Sequence, residues 1–434
     1  MSNQLGYKNN IRGQSLLNTP KDLQTYEHMR RSLTLLLCIL LVQCAQEPET
    51  EHIQILDVIP QHIQDVENLT IYPGESEPAY SVELIPVQSF GETGEPFLTR
   101  IARSVVDDNG RIIIWDIDTQ GGGFPPRNSL YVYNPDGTYH TPIGGRGKGP
   151  GEFEILISMY ASAGNVYALD HTNQRLNVYN GASYSFERST LVEQWSVHNH
   201  EAVQNLRFAR LDTRNDGNHL VVFAERVPFG KAPVHKYLLM DTDGNVLNPE
   251  PLEFPAGFTI RPQTTPPSPS MTLPFMGSTI TALSTKDELY SAWTRDFLIK
   301  IYDANGVYQS AIYYPVTGSP FNLEYYTGAS RYNVRDIWNA FENSEEELPE
   351  TNPVLADLMV DDEDRIWAAV HMGPHRENYE WWILAPSGKL LAKLQRPRKQ
   401  RIFDIKNGYL YSKEIDEDTG GETVVKYRIE LLEK

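Results

Sequence analysis

A turn followed by a short β-rich run recurs six times along the chain, and no other feature constrains the fold as strongly. The six copies are "DDNGRIIIWD" (107–116), "SAGNVYALD" (162–170), "NDGNHLVVFAE" (215–225), "TKDELYSAW" (285–293), "DDEDRIWAAV" (361–370) and "IKNGYLYSKE" (405–414). Each copy leads into a second strand, which in five copies continues through a turn that contains glycine. Those turns read Pro-Asp-Gly, Asn-Gly-Ala, Thr-Asp-Gly, Ala-Asn-Gly and Pro-Ser-Gly. Such residues supply the positive φ of tight hairpins, so the pattern predicts repeated antiparallel sheets.

The sixth copy lacks its last strand, because the chain ends after "TVVKYRIELL" (423–432). A complementary strand, "YSVELIPVQSF", stands near the other end at 80–90. Pairing it into the last sheet would close a ring and remove an open sheet edge. We therefore predict an all-β, six-bladed β-propeller closed by an N-terminal strand. The alternative is a β-sandwich, or two in tandem, because sandwiches also consist of many short strands.

An apolar run without charge, Leu33–Val42, follows a pair of arginines near the start of the chain. It is too short for a membrane span, which needs about 20 apolar residues, and it fits the hydrophobic segment of a signal peptide. The flank Leu41-Val42-Gln43-Cys44 resembles a bacterial lipobox, although Gln43 stands where that motif usually has Gly, Ala or Ser. The resemblance implies lipidation at Cys44 and membrane attachment through the lipid only. The alternatives are secretion without lipid and a buried strand or core helix with an incidental cysteine.

These features divide the chain into four parts. The predicted parts are a spurious or disordered extension (1–28), a lipoprotein signal peptide (29–43), a tether (44–79) and the propeller (80–434). If Cys38 leaves with the signal peptide, Cys44 is the one cysteine that remains, and no internal disulfide can form. The expected location is a membrane surface on the periplasmic or extracellular side.

The net charge of the chain limits the kinds of partner that it can bind. Its formal net charge is −19 at neutral pH. Nucleic acid is excluded as a partner because phosphate binding needs a basic face. The same charge disfavours direct attraction to an anionic membrane and is expected to keep an exported protein soluble.

One segment is similar to a known repeat. Residues 143–180, "IGGRGKGPGEFEILISMYASAGNVYALDHTNQRLNVYN", resemble an NHL repeat. The matching positions are Gly144, Gly147, Gly149, Gly151, Phe153, Gly164, Tyr167, Asp170, Asn173, Arg175 and Tyr179. The resemblance implies a six-bladed propeller lipoprotein of Gram-negative bacteria, and it informs the fold more than the function. Asp170, Asn173 and Arg175 flank a short turn, which favours a structural lock over a ligand-binding role.

Loops at one end of a propeller gather around the mouth of its channel, where ligands commonly bind. The candidate ligand-binding residues in these loops are Arg127, Arg146, Lys148, Arg295, His371, His375 and Arg376. The glycine-rich loop around Arg146 can cradle an anion through backbone N–H groups, or it can simply link two blades. His371 and His375 stand four residues apart, but the Gly-Pro pair between them excludes the helix that a metal pair at this spacing needs.

The longest insert, residues 317–353, has apolar residues at helical spacing between Asn333 and Glu347. We predict an amphipathic helix that either lies over the channel as a lid or covers an outer face. Its aromatic residues are candidates for stacking on a sugar or an aromatic ligand, although such residues more often serve in packing. They are Tyr325, Tyr326 and Trp338.

The sequence indicates no catalytic residue, cofactor or metal site, because it has no Gly-x-Ser-x-Gly elbow and no evident acid–base pair of carboxylates. We predict a lipid-anchored envelope module that binds a glycan, peptide or protein partner. The alternative is an enzyme of the lactonase, lyase or sugar dehydrogenase type, with a divalent metal such as calcium in the channel. Three or more Asp, Glu, Asn or His side chains that converge in the channel would favour the enzyme, and a mouth that is apolar or lined by Tyr and Arg would favour binding.

Overall fold

The computed structural model of the protein describes residues 59–92, 96–118, 127–192, 200–204, 206–225, 233–248, 250–260, 271–328, 337–338, 341–342, 346–373 and 377–434. The chain divides into two compact units, Met1–Asp65 and Val66–Lys434. Within the first unit, the described residues form one short helix, α1 (Gln61–Gln64). The second unit opens with two strands, β1 (Leu69–Ile71) and β2 (Tyr80–Phe90).

Six four-stranded antiparallel sheets follow one another in the described part of the second unit, and we number them as blades 1 to 6. Blade 1 consists of β3 (Ile101–Val106), β4 (Ile112–Asp118), β5 (Arg127–Tyr133) and β6 (Tyr139–Ile143). Blade 2 consists of β9 (Leu156–Ser162), β10 (Asn165–Asp170), β11 (Arg175–Asn180) and β12 (Phe186–Leu191). Blade 3 consists of β13 (Arg207–Thr213), β14 (His219–Ala224), β15 (Val234–Met240) and β16 (Leu252–Pro255). Blade 4 consists of β19 (Thr279–Leu283), β20 (Leu289–Trp293), β21 (Leu298–Tyr302) and β22 (Tyr308–Tyr313). Blade 5 consists of β23 (Leu355–Val360), β24 (Ile366–His371), β25 (Asn378–Leu384) and β26 (Leu390–Pro397). Blade 6 consists of β27 (Ile402–Lys406), β28 (Tyr409–Ile415), β29 (Glu422–Glu433) and β2. The protein is therefore an all-β six-bladed propeller, as the sequence predicts.

Blade 6 is built from both ends of the second unit. Its strand β2 pairs antiparallel with β29, from Tyr80 opposite Glu433 to Phe90 opposite Val424. This pairing is the one predicted from the sequence. Tyr80 also makes one parallel pair with Ala392 of β26, so blades 5 and 6 form a continuous eight-stranded sheet.

Strand β1 lies within the segment predicted to be a tether. It pairs parallel with β22 over its full length and adds a fifth strand to blade 4. Just beyond it, Tyr72 stacks on Tyr314, and its hydroxyl donates to the carbonyl of Ser387 in blade 5 at 2.9 Å. Part of the predicted tether is thus ordered structure that contacts two blades.

Short elements complete the described structure. They are the parallel pair β7 (Gly145–Arg146) and β8 (Glu152–Phe153), the ribbon β17 (Thr259–Ile260) and β18 (Met271–Thr272), the 3₁₀ turns Glu201–Val203 and Pro274–Met276, and the helix α2 (Leu323–Gly328). Within the described ranges, every helix is too short or too polar to cross a lipid bilayer.

The geometry of the hairpin turns explains several of the glycines that the repeats contain. The glycines of four predicted turns have φ between 82° and 95°: Gly137, Gly244, Gly306 and Gly388. In blade 2, by contrast, the positive φ of 57° falls on Tyr184. Gly181 of that turn is needed for a different reason, because a Cβ there would lie 2.6 Å from the carbonyl oxygen of Gly164.

Each interface between neighbouring blades is filled by its own cluster of buried apolar side chains. At the interface that closes the ring, Phe90 and Val424 of blade 6 pack with Ile101 and Tyr133 of blade 1. Phe90 and Val424 are fully buried. Since each blade buries its two faces against two neighbours, the core of the protein is distributed around the ring.

The turns after the innermost strands are hydrogen-bonded to one another around the ring. One such bond from each of the six interfaces is Gly164 N to Asp108 Oδ2 (3.0 Å), Ser162 Oγ to Arg214 O (2.7 Å), Asn215 N to Asp287 Oδ1 (2.6 Å), Thr285 Oγ1 to Asp364 Oδ1 (2.7 Å), Asn407 N to Asp362 Oδ2 (2.7 Å) and Lys406 Nζ to Asp108 Oδ1 (3.2 Å). Asp287 and Asp364 have φ of 62° and 58°, a conformation that aspartate adopts more readily than most residues. These bonds fix the position of each blade against the next.

Replacing Phe90 with alanine tests the closing interface. Loss of a fully buried phenylalanine ring should cost about 3–5 kcal/mol of unfolding free energy and lower the urea midpoint. Val87→Ala in the same strand is the matched control, because Val87 is 51 % exposed and its loss should change stability by at most about 0.5 kcal/mol. Equal midpoints for the two variants would contradict this role of Phe90.

Candidate binding site in the central channel

The innermost strands of all six blades surround one cavity with a volume of about 430 Å³. Lining residues come from β3, β9, β13, β19, β23 and β27. The charged residues that line it are Arg103, Arg210, Asp212, Asp357, Arg401 and Asp404. Three cations and three anions therefore surround a space whose volume is typical of small-molecule sites.

Four of these charged residues directly follow an irregularity in strand pairing. The register shifts between Ile101 and Arg103, Phe208 and Arg210, Leu355 and Asp357, and Ile402 and Asp404. A β-bulge leaves one residue unpaired and redirects the side chain that follows, and bulges are common next to functional sites. The innermost strand of blade 4, β19, pairs without such a shift. The backbone thus turns the charged side chains towards the channel at four places.

Arg210 and Asp212 form a neutralised pair. The Nε of Arg210 lies 3.0 Å from Oδ2 of Asp212, although its N–H direction does not satisfy hydrogen-bond geometry. Arg210 also donates through Nη2 to Thr281 Oγ1 at 2.7 Å, and the Tyr160 hydroxyl donates to Asp212. Burial, reinforced by the Asp212 carboxylate, raises the pKa of Tyr160, so the phenol stays protonated and donates. This network ties blades 2, 3 and 4 together.

The other four charges make no ion pair within 4.0 Å among the described residues. Asp357 accepts only the amide of Leu358, at 2.9 Å, among the side-chain bonds described. Burial raises the pKa of Asp357 despite the opposing effect of Arg401 and, more weakly, of Arg103. Burial likewise raises the pKa of Asp404, which accepts the amide of Val106 at 2.9 Å. Asp357 and Arg103 are therefore close enough to influence each other and too far apart to pair.

Three buried polar atoms of channel-lining residues have no hydrogen-bond partner in the described structure: Nε of Arg103, Oγ of Ser158 and Nε of Arg210. Of these, Nε of Arg210 has the Asp212 carboxylate beside it as an ion pair, and the other two have no charged partner within 4.0 Å among the described residues. Ser158 is 6 % exposed, so bulk solvent hardly reaches its hydroxyl. The Arg103 guanidinium instead lies over the Tyr160 ring, 5.1 Å from its centroid. An unsatisfied buried hydroxyl is costly, and such groups at a cavity point to a missing partner.

The candidate residues predicted from the sequence lie elsewhere. Arg127 begins β5 and Arg146 ends β7, and both are exposed. Arg295 donates to the carbonyl of Phe275 at 3.5 Å. His371 ends β24, and its ring lies 5.3 Å from that of Tyr379. None of the described candidates lines the cavity.

The remaining candidates are exposed or lie outside the described residues. Lys148 accepts, through its carbonyl, a bond from Nη2 of Arg175 at 2.6 Å. His375, Arg376 and Cys44 lie outside the described residues. The loop residues therefore stay predicted ligand-binding residues of the channel mouth, and those that are described lie outside the lining of the cavity itself.

The segment that resembles an NHL repeat contains the predicted structural lock. The Asp170 carboxylate accepts the amides of Glu154 and Ile155 at 3.0 and 3.2 Å, which fastens β10 to the linker from blade 1. Asn173 donates to the same carboxylate at 2.5 Å. This geometry supports a structural role for these polar residues.

The insert after blade 4 packs against the connection between blades 3 and 4. Ile337 and Phe341 are buried with Phe258, Phe275 and Tyr326 in one apolar cluster. The Tyr326 hydroxyl donates to Asn352 Oδ1 at 2.9 Å, so Tyr326 serves in packing. Trp338 is 47 % exposed. The rest of the helix predicted over 333–347 and the side chain of Tyr325 lie outside the described residues.

The channel combines the two features that were expected to separate enzyme from binding module. Three aspartates line it, but so do three arginines and Tyr160. Within the described ranges, no group of three or more His, Cys, Asp or Glu residues is arranged to hold a metal ion. Asp212 is already engaged by Arg210 and Tyr160.

A short sequence signal marks three of the channel residues that lie outside the predicted loops. Ala-Arg occurs at 102–103 and 209–210, and Ala-Asp occurs at 356–357, each in the strand just before a repeat. The alanine is the extra, unpaired residue of the bulge, and the charged residue follows it. A small residue followed by a charge at the same place in three repeats could have identified the channel.

Comparisons with known proteins agree with this fold. The profile of the family DUF5128, described as a 6-bladed beta-propeller, matches residues 75–222. A candidate exported protein of Bacteroides fragilis is 13 % identical, with a TM-score of 0.47 and coverage of 83 % of this chain and 99 % of its own. A DUF4221 member of Bacteroides vulgatus is 10 % identical, with a TM-score of 0.47 and coverage of 82 % and 100 %.

The PQQ-bound aldose sugar dehydrogenase of Streptomyces coelicolor is also similar in structure. It is 12 % identical, with a TM-score of 0.43 and coverage of 82 % of this chain and 100 % of its own. No curated protein matches the sequence. Likenesses at these identities and TM-scores carry no argument about function.

Two serines of the same strand allow a matched test of the unpartnered hydroxyl. Ser162 Oγ donates to the Arg214 carbonyl at 2.7 Å, so Ser162→Ala should cost about 1 kcal/mol of unfolding free energy. Ser158→Ala removes a hydroxyl without a partner and should leave stability unchanged or raise it by about 1 kcal/mol. Thermal unfolding of the two variants is the measurement. An equal loss in both would show that Ser158 has a structural partner after all.

Proposed function

We propose that this protein is a lipid-anchored envelope propeller that binds a glycan, peptide or protein partner through its central channel. One observation carries the proposal: the channel cavity holds charged and polar groups that the protein itself leaves unpaired, above all Arg103, Ser158 and Asp357. Unsatisfied polar groups around a cavity of ligand size are what a recognition site requires. The loop residues Arg127, Arg146 and His371 would then provide a second contact surface for a larger partner.

The enzyme alternative would place a divalent ion such as calcium in the same channel. Asp357 and Asp404 are the described carboxylates with capacity to spare for it, because Asp212 is engaged by an arginine. Two carboxylates supply at most four of the six to eight oxygen ligands that calcium takes, so further ligands would have to come from water or substrate. Three aspartates line the channel, but among the described residues no group of three or more His, Cys, Asp or Glu side chains is arranged to hold a metal ion.

A thermal-shift screen tests the binding proposal. Purified protein is screened against monosaccharides, short peptides and calcium, together with elemental analysis for bound metal. Ile157→Trp narrows the channel at a lining position that is 38 % exposed, and Val307→Trp is the control at an outer turn that is 57 % exposed. A channel ligand at about 100 times its Kd should stabilise wild type and Val307→Trp by about 2.7 kcal/mol, and Ile157→Trp by much less.

Three other outcomes of the screen would count against the proposal. If a ligand stabilised wild type, Ile157→Trp and Val307→Trp equally, it would bind outside the channel. Stabilisation by calcium, with metal retained through purification, would favour the enzyme alternative. The absence of any stabilising compound across the screen would count against channel binding.

The anchoring part of the proposal rests on the apolar run before Cys44 and on the lipobox resemblance. An anchored protein carries two or more acyl chains, because a single chain binds membranes only marginally. Cys44→Ala should move the expressed protein from the membrane fraction to the soluble fraction and abolish incorporation of labelled palmitate. Cys38→Ala, a matched change within the predicted signal, should do neither. Unchanged labelling in Cys44→Ala would overturn lipidation at this site.

A further inference from the structure

We infer that the channel site takes a small zwitterion, such as an amino acid or short peptide with free termini, whose carboxylate meets Arg103 and whose ammonium group meets Asp357. This inference rests on the proposed binding function and specifies its ligand class. It follows from the balance of charges, from the unpartnered donors and from the size of the cavity.

The charges left after internal pairing are balanced. Arg210 and Asp212 neutralise each other at 3.0 Å. Arg103 and Arg401 then remain as cations, and Asp357 and Asp404 remain as anions, around the same cavity. No two of these four lie within 4.0 Å as an ion pair in the part of the chain that the structure describes, so each retains capacity for a ligand. The strands that carry Arg103 and Asp357 belong to blades 1 and 5, which are separated by blade 6.

A ligand that displaces water from this cavity must offer a polar partner to the positively charged side chains and to the negatively charged ones. A neutral ligand would leave Arg103 and Asp357 desolvated and unpaired, which is strongly unfavourable. A simple anion would satisfy Arg103 and repel Asp357, and a simple cation would do the reverse. A zwitterion forms a charge-assisted hydrogen bond at each end and leaves neither charge uncompensated.

The unpartnered donors lie on the side where the carboxylate would bind. Nε of Arg103 and Oγ of Ser158 are buried without acceptors, and they come from the innermost strands of adjacent blades. A carboxylate offers two oxygens with about four acceptor sites, enough for a guanidinium and a hydroxyl together. Tyr160 backs the Arg103 guanidinium and restricts where it can lie.

The size and the apolar part of the lining set the scale of the ligand. A volume of about 430 Å³ lies towards the lower end of the range for small-molecule sites, about 300–1,000 Å³. Ile157, Leu283 and Met359 line the same cavity and remain partly exposed. They provide a surface for one aliphatic side chain, as in a free amino acid or a short peptide, and leave no room for a folded domain.

The test uses three forms of one dipeptide with the full chain in detergent. Alanyl-leucine with free termini, its N-acetyl form and its C-terminal amide are titrated by calorimetry. The free dipeptide should bind at least tenfold more tightly than either blocked form. Arg103→Gln should weaken the free dipeptide at least tenfold, and Asp357→Asn should remove its advantage over the N-acetyl form.

Matched controls keep the result interpretable. Arg428→Gln and Asp418→Asn make the same changes at exposed positions outside the channel and should leave the affinities unchanged. Circular dichroism confirms that each variant is folded. Equal affinity of the three dipeptides, or no binding of the free dipeptide, would overturn the zwitterion inference. If another compound still stabilised wild type but not Ile157→Trp, the binding function would stand with a different ligand class; if none did, both would fall.

Discussion

The antiparallel pairing of β2 with β29 is the contact on which the rest of the structure depends. It completes blade 6 from both ends of the second unit and sets Phe90 into the apolar cluster against blade 1. Only then does the innermost strand of blade 6 lie beside that of blade 1, where Asp404 accepts the Val106 amide. The channel therefore exists because residues separated by more than 300 positions in the chain are held together.

The charges in the channel are costly for the fold, and this cost is informative. Burial raises the pKa of Asp357 and of Asp404, which means that their charged forms are disfavoured where they stand. Apolar residues of similar size would often make a core at least as stable. The chain keeps three arginines and three aspartates around its channel, four of them directly after a strand bulge, at some expense in stability.

Much of the fold could be predicted from the sequence. The six turn-and-strand copies gave the blade number, and the missing last strand of the sixth copy identified β2 as its partner. The prediction that glycine adopts the positive φ of the hairpin turn is confirmed in four blades. It is wrong in blade 2, where Tyr184 has the positive φ instead. β1 was missed because a three-residue strand has no periodicity of its own and is defined by its partner β22.

The site was harder to predict than the fold, because it lies on the innermost strands and not on the loops at the end of the channel. The channel residues stand in the strands just before the repeats, and their orientation depends on bulges that arise from pairing with the next strand. Arg103 and Asp357 line the same cavity only because the ring closes. Closure of the ring depends on pairing between distant parts of the chain, and no local sequence pattern indicates it. The Ala-Arg and Ala-Asp pairs were the one local trace of this arrangement.

The outermost strands of the blades have a consequence for how the molecules behave in a crowded space. An exposed outer strand offers unpaired N–H and C=O groups to any neighbouring chain. In this protein, β1 covers β22. An exposed proline interrupts each of two other outer strands, Pro142 in β6 and Pro255 in β16, and the exposed charge of Glu187 lies on β12. At the outer strands of blades 1 to 4, a neighbouring chain therefore meets edges that resist extension of the sheet into a second molecule.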